Sequence, residues 1–325
     1  MTKKIRIGIV GYGNLGRGVE VGLKNHPDME LVGIFSRRNP ESLDTKTAAY
    51  LLEDIIQFQD KIDVLILCGG SKSDIPTQGP ALAEHFNTVD AYDTHALIPE
   101  YFKQMDSVAK ESKHVSVIST GWDPGLFSMN RLIQEAILPK GETYTFWGRG
   151  VSQGHSDAVR GVEGVGKAVQ YTVPNQLDIE AIHEGEQITY DSKKAHMREV
   201  YVVLEEDADP VDVEKQIKEM PDYFEGYQTS VQFISVEEYE AEHTNMPHGG
   251  RVMRQGQTSD ASQSLIEFSL DLESNPEFTA AVNIAYARAA YKLAAEKQYG
   301  ARTVLDIAPH YLSSKSREEL IKELL

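Results

Sequence analysis

Two hydrophobic periods alternate along the first 120 residues. Residues 5–10 form a short apolar run of strand length, residues 14–26 carry Leu15, Val19 and Leu23 at helical spacing, and residues 30–35 return to a strand pattern. Residues 62–68 are apolar on both faces apart from Asp63, as a buried parallel strand requires. Residues 88–92 and 114–119 continue the series, with a helix from about 99 to 112 between them. The alternation predicts an α/β fold with a doubly wound parallel sheet of Rossmann type.

After Gly121 the pattern changes. A helix over 126–138 is closed by Pro139 and Gly141, and strands then follow at wider spacing over 144–147, 168–173, 197–204, 228–236 and 265–272. Strands in series with few helices predict a second, α+β domain built on one open mixed or antiparallel sheet. Residues 276–297 are helical again, and Ala281, Ile284, Ala285, Arg288, Ala289 and Leu293 make a packing face expected to return to the first domain. The expected division is a dinucleotide-binding domain over 1–121, rejoined by about 274–325, and a substrate-binding and dimerisation domain over 122–273.

Composition narrows the function. Fifty acidic against 32 basic residues give a formal charge of -18, which repels a nucleic-acid backbone and argues against such a partner. The single cysteine, Cys68, excludes an intrachain disulfide framework, CxxC redox chemistry and cysteine-rich zinc sites, and fits a reducing compartment. The four residues before Ile5 are too short for a signal peptide, and no later run approaches a membrane span. A cytoplasmic protein with no membrane partner is expected.

Gly11-Tyr12-Gly13-Asn14-Leu15-Gly16 is a GxGxxG that follows a strand and opens a helix. In that context Gly11 permits a tight turn, Gly13 lets a pyrophosphate approach the backbone, and Gly16 lets helix and strand pack closely. Free N–H groups at the helix start then favour an anion. The second strand ends in Ser36-Arg37-Arg38, where an acidic residue would have signalled NAD. A hydroxyl and two guanidiniums suit a 2′-phosphate, so NADP is the expected cofactor. Cys68, Gly69 and Ser71 end the third apolar strand at the edge where such sheets bind ligands, with Cys68 a buried residue and no nucleophile. Asp93 and the Gly121-Trp122-Asp123-Pro124-Gly125 turn follow the next two strands, and capping a turn is the alternative for either aspartate. His243 and His248 match no metal spacing, and no metal is expected.

The segments GYGNLG, FSRR, STGWDPG, TFWG, SQGHSDA, MPDYF and HTNMPHGG together resemble the meso-diaminopimelate D-dehydrogenases of bacterial lysine biosynthesis. The resemblance runs from the first strand to about Asp306, and MPDYF itself reads as structural. It implies a homodimer of subunits that each join a dinucleotide-binding and a substrate domain. The implied reaction is NADP-dependent, reversible oxidative deamination at the D-centre of meso-2,6-diaminopimelate, giving ammonia and L-2-amino-6-oxopimelate, which cyclises to tetrahydrodipicolinate. It places Asp93 and Asp123 by the reacting amine, with Trp122 and Trp147 shaping the pocket. It places Arg198, Thr172, His248 and Asn275 at the distal L-centre, with Gln153, Gly154 and Asp157 beside the substrate. The competing readings are another NADP-dependent reductase or amino acid dehydrogenase of the same fold, and a non-catalytic NADP-binding protein.

Overall fold

The structure, a computed structural model, describes residues 3–325. The chain clusters into two compact units, Met1–Met129 with Pro276–Leu325, and Asn130–Asn275.

In the first unit the chain runs β1 (Ile5–Val10), α1 (Asn14–Leu23), β2 (Met29–Ser36), β3 (Ala49–Leu51), β4 (Val64–Leu67), α2 (Ile75–Ala83), β5 (Asn87–Asp90), α3 (Ile98–Ser112) and β6 (Val115–Val117). The strands pair in parallel. The two-faced reading of β4 holds at the level of packing: Val64 and Ile66 join one core layer, Leu65 and Leu67 the other, and all four are fully buried or nearly so. Period-two side chains on a sheet covered from both sides give this continuous apolar run. α4 (Leu126–Ile137) then carries the chain into the second unit.

The second unit holds two sheets where the sequence pattern predicted one. β7 (Lys140–Trp147), β8 (Gly150–Val151), α5 (Gln153–Arg160), β9 (Val165–Pro174), α6 (Gln176–His183), β10 (His196–Leu204), α7 (Pro210–Lys218), β11 (Thr229–Phe233), α8 (Val236–Glu242), β12 (His248–Ser259) and β13 (Ser262–Leu272) sort into β11-β10-β9-β8 and β13-β12-β7. The expected strand over 228–236 stops at Phe233, because Ser235 caps α8 by accepting the Glu238 N–H. β12 was not expected at all, since His248-Gly249-Gly250-Arg251 lacks alternation. Its glycines answer to close neighbours: a Cβ on Gly249 would lie 2.4 Å from the Leu270 carbonyl oxygen. Its buried Arg254 is satisfied by the Leu138 carbonyl, at 2.9 Å from Nε and 2.6 Å from Nη2.

α9 (Asn275–Ala295) and β14 (Gly300–Arg302) rejoin the first unit, followed by α10 (Arg317–Leu324). The seven-stranded order is β14-β6-β5-β4-β1-β2-β3. Ala280, Ile284, Ala287 and Leu293 pack into the layer that holds Val19 and Leu23 of α1. The approach is close enough that a Cβ on Gly18 would sit 3.0 Å from that of Ala280. Arg288, buried on α9, clasps Asp28 through Nε at 2.7 Å and Nη2 at 2.9 Å.

Candidate active site

The first unit builds a dinucleotide cradle from the end of β1. Gly11 takes φ +88°, and a Cβ there would meet the Cys68 carbonyl and the Gly69 nitrogen at 3.1 Å. Only glycine tolerates that turn and that approach. A Cβ on Gly16 would fall 2.3 Å from the Gly11 carbonyl oxygen, while Gly13 has nothing within 4 Å and leaves its backbone open. Asn14 and Leu15 form the first turn of α1, whose positive dipole end favours an anion. A cavity of about 280 Å³ follows, lined by Gly11, Gly13, Ser36, Arg37, Arg38 and Cys68 among others.

The basic pair is held in two different ways. The Arg38 guanidinium donates to the Tyr12 carbonyl, and its backbone N–H donates to Ser36 Oγ at 3.1 Å. Arg37 is largely exposed and ion-pairs with Asp74 at 2.8 Å, a lining residue the sequence reading did not single out. Tyr12 in turn donates its hydroxyl to Glu20, which also accepts from Thr45 Oγ1 at 2.6 Å and from Thr47. The cradle fits a dinucleotide with a 2′-phosphate: open backbone at Gly13, a helix start, and two guanidiniums at the far end. Cys68 is buried, and burial pushes its thiol pKa up, so no thiolate forms there.

β5 and β6 are neighbours, and the two aspartate-bearing loops leave their carboxyl ends. Asp90, unremarked in the sequence, ties them. Fully buried, it accepts the N–H groups of Tyr92 at 2.9 Å and Ser119 at 3.1 Å and the Tyr101 hydroxyl at 2.8 Å. Burial raises its pKa to about 6 against these three bonds. Ser119 sits at φ +56°, a left-handed conformation that costs a side-chain-bearing residue about 1 kcal/mol, and the carboxylate supports it there. The Asp90 carbonyl accepts both Thr120 N at 2.8 Å and Thr120 Oγ1 at 2.9 Å. Beyond this knot Asp93 is exposed, with its N–H donating to Ser71 Oγ at 3.0 Å, and Asp123 is half-buried. Trp122 is buried edge-on against Phe127, with ring centroids 5.2 Å apart.

The second unit gathers the other expected residues around β9 and β10. Arg198 and Thr172 are register partners, and Arg198 Nη1 donates to Thr172 Oγ1 at 2.9 Å. Arg198 is 8% exposed, its Nε has no hydrogen-bond partner, and no carboxylate pairs with it among the described residues. Burial lowers its pKa, opposed by the Tyr227 hydroxyl. Trp147 ends β7, and its backbone N–H donates to His196 Nε2 at 2.9 Å while His196 Nδ1 donates to the Ser192 carbonyl at 2.9 Å. Those partners fix a neutral imidazole, and burial also lowers the pKa. His248 starts β12 against Gly150, where a Cβ would lie 2.3 Å from its ring, and burial lowers its pKa as well. Met246 links two more expected residues, accepting Gln153 Nε2 at its sulfur at 3.0 Å and the Asn275 N–H at its carbonyl at 3.0 Å. Gly154, next to Gln153 in α5, has open space where a Cβ would stand. Asp157 is set apart from this group by its contact, an exposed ion pair with Arg160.

The segment of Tyr223 and Phe224, which the sequence reading took as structural only, packs against His155. His155 bonds Ser152 Oγ through Nδ1 at 2.7 Å and packs edge-on against Tyr223 and Phe224. Burial and then the nearby Arg198 charge bring its pKa down to about 4. Tyr227 lays its ring 4.2 Å from the Arg198 guanidinium carbon. Among the described residues no three His, Cys, Asp or Glu side chains are grouped to hold a metal ion, and no helix is long and apolar enough to cross a membrane.

The model of the diaminopimelic acid dehydrogenase C-terminal domain matches residues 121–274. Meso-diaminopimelate D-dehydrogenases of Ureibacillus thermosphaericus and Lysinibacillus sphaericus are 54% and 55% identical, each match covering 99% of both chains. The chain belongs to the meso-diaminopimelate D-dehydrogenase family. Among solved structures, the diaminopimelate-bound dehydrogenase of C. glutamicum superposes with a TM-score of 0.91 at 46% identity over the full length of both chains. An engineered D-amino acid dehydrogenase bound to NADP+ gives 0.86 at 44% identity, covering 99% of this chain and 100% of that one. A six-residue variant of the Clostridium tetani enzyme, bound to diaminopimelate, gives 0.93 at 50% identity, with the same coverage. The family places both units of the fold in one class of oxidoreductase acting on a CH–NH2 group.

Proposed function

We propose that the chain catalyses reversible oxidative deamination of the D-centre of meso-2,6-diaminopimelate with NADP, releasing ammonia and L-2-amino-6-oxopimelate. The observation that carries this reading is Arg198: a buried guanidinium whose Nε has no hydrogen-bond partner and with which no carboxylate pairs among the described residues suits a substrate carboxylate. The C. tetani variant supports it. Its six replaced residue types, Gln, Thr, Arg, Pro, His and Asn, recur in the same order and spacing as Gln153, Thr172, Arg198, Pro247, His248 and Asn275.

When bound, NADP accepts hydride from the D-carbon. The attached nitrogen must first be neutral, so that its lone pair can form the iminium that water then hydrolyses to ketone and ammonia. Asp93 and Asp123 hold the ammonium and stabilise the cationic iminium, passing the proton on through water. Arg198 and Thr172 take the distal carboxylate, and His248 and Asn275 complete that end. Because the distal groups undergo no chemistry, their binding energy orients the reacting carbon. Gly11, Gly13 and the start of α1 take the pyrophosphate, and Arg37 and Arg38 the 2′-phosphate.

The same reading makes the chain a cytoplasmic homodimer. Its single cysteine supports the first point. The second is supported by α4, which leaves Leu132, Ile133 and Ile137 at 50%, 46% and 58% exposure on one helix. Light scattering at micromolar concentration reports the assembly. The activity is tested by NADPH absorbance with meso-, LL- and DD-diaminopimelate side by side. Turnover of the meso isomer, with none of LL, is expected. NADP binding without turnover of any of the three would favour a non-catalytic role.

A further inference from the structure

Residues 220–227 join α7 to β11 and are anchored by Phe224, which is fully buried in the core layer of Val159, Val200, Val202 and Ile217. Gly226 turns the chain at φ +84° immediately before Tyr227. That turn sets the half-buried Tyr227 ring 4.2 Å from the Arg198 guanidinium carbon, while Lys193 Nζ lies 5.5 Å from the same ring. On its other contacts Arg198 has a single side-chain hydrogen bond, from Nη1 to Thr172. A guanidinium held by one bond and a buried stem has rotational freedom that a bidentate carboxylate contact must remove. A π face lying against the guanidinium restricts that freedom.

We propose that Tyr227 is the positioning residue for the distal-carboxylate site: its ring clamps Arg198 so that the remaining N–H groups stay free for the substrate, and residues 220–227 thereby take part in substrate specificity. The inference rests on Arg198 reading the distal carboxylate. A cation stacked on a desolvated ring is favoured by a factor on the order of tenfold in binding. The clamp is assigned to the ring, while the hydroxyl also favours the charged guanidinium, and a variant that keeps the ring alone separates the two.

The test is steady-state kinetics with meso-diaminopimelate at saturating NADP for the wild type, Tyr227→Leu, Tyr227→Phe and Arg198→Met. Circular dichroism and the thermal midpoint check folding of each variant. Tyr227→Leu is expected to raise KM about tenfold with kcat changed by less than about threefold. Tyr227→Phe is expected to restore most of that loss. A wild-type KM in Tyr227→Leu, or equal damage in the Leu and Phe variants, overturns the proposal. Arg198→Met distinguishes the two levels: if it leaves both KM and kcat unchanged, the carboxylate reading itself fails. If it raises KM while Tyr227→Leu does not, only the clamp fails.

Discussion

Cofactor choice turns on a competition visible at Arg37. Its guanidinium is 68% exposed and paired at 2.8 Å with Asp74, whose side chain is 12% exposed. A charged hydrogen bond to a 2′-phosphate contributes on the order of 1.5 to 3 kcal/mol. The exposed ion pair that it replaces contributes about 0 to 1 kcal/mol. The net for Arg37 is then roughly 0.5 to 3 kcal/mol, or about 2- to 150-fold in kcat/KM for NADP. Arg37→Ala should lose that factor with NADP and almost nothing with NAD, which has only a hydroxyl at this position. Asp74→Asn supplies the opposite sign. It removes a carboxylate beside an incoming dianion but keeps an oxygen to accept the Gly70 N–H, now bonded at 2.9 Å. NADP efficiency should rise by up to about fivefold. Arg38→Ala should harm both cofactors, because Arg38 also fixes the Tyr12 carbonyl inside the glycine turn. The assay is initial velocity across both cofactors for the three variants. Equal losses for NAD and NADP in Arg37→Ala would make Arg37 a solvated surface charge and refute the assignment.

Three further outcomes are expected. Arg198→Met should reduce kcat/KM for meso-diaminopimelate far more than for a D-amino acid with an apolar side chain, and an unchanged ratio of the two efficiencies counts against the distal pocket. Asp90 has a folded pKa of about 6 against about 3.8 unfolded, so the native state holds its proton longer and stability falls as pH rises between those values. Asp90→Asn should therefore gain on the wild type by about 2 kcal/mol between pH 4 and pH 7 in urea unfolding, and a pH-independent difference would show that the buried carboxylate carries no such penalty. His155 works in the other direction. Its pKa, depressed to about 4, gives stability that is complete above about 6.5 and lost on acidification through 4, roughly 2 kcal/mol after allowing for partial exposure. His155→Gln should flatten that acid limb in the same experiment.

The first unit was legible because its sequence and its structure share one period. Ile7 and Ile9, or Val64 and Ile66, are buried where parallel strands covered on both faces must be apolar, and the glycine turn follows directly. Its edges shifted by up to three residues, and the short β3, α2 and β14 were not expected. The second unit was less legible. β12 carries His248, two adjacent glycines and the buried Arg254 in place of alternating apolar residues. Its stability comes from strand neighbours and from carbonyls of the segment after α4, neither of which leaves a periodic trace. Two sheets were consequently merged into one expectation.

The candidate site divides along a similar physical line. Residues expected to touch a ligand, such as Gly11, Arg37, Asp123 and Arg198, lie in local motifs whose chemistry can be read one segment at a time. Asp74, Asp90, His196 and Tyr227 act on those residues from elsewhere in the chain, so a local reading gives each a bland role. Asp90 is the clearest case. As a lone carboxylate ending a strand, it reads as a cap. Only the fold shows that its oxygens hold Tyr92, Ser119 and Tyr101 at once, fixing the two loops from which Asp93 and Asp123 project. The energetic cost of burying that carboxylate, visible in its raised pKa, is intelligible as the cost of holding in one geometry the two loops that carry the proposed catalytic aspartates. A protein selected for stability alone would place a neutral side chain there. The retained charge therefore marks a position where geometry at the sheet edge outweighs about 2 kcal/mol of folding free energy.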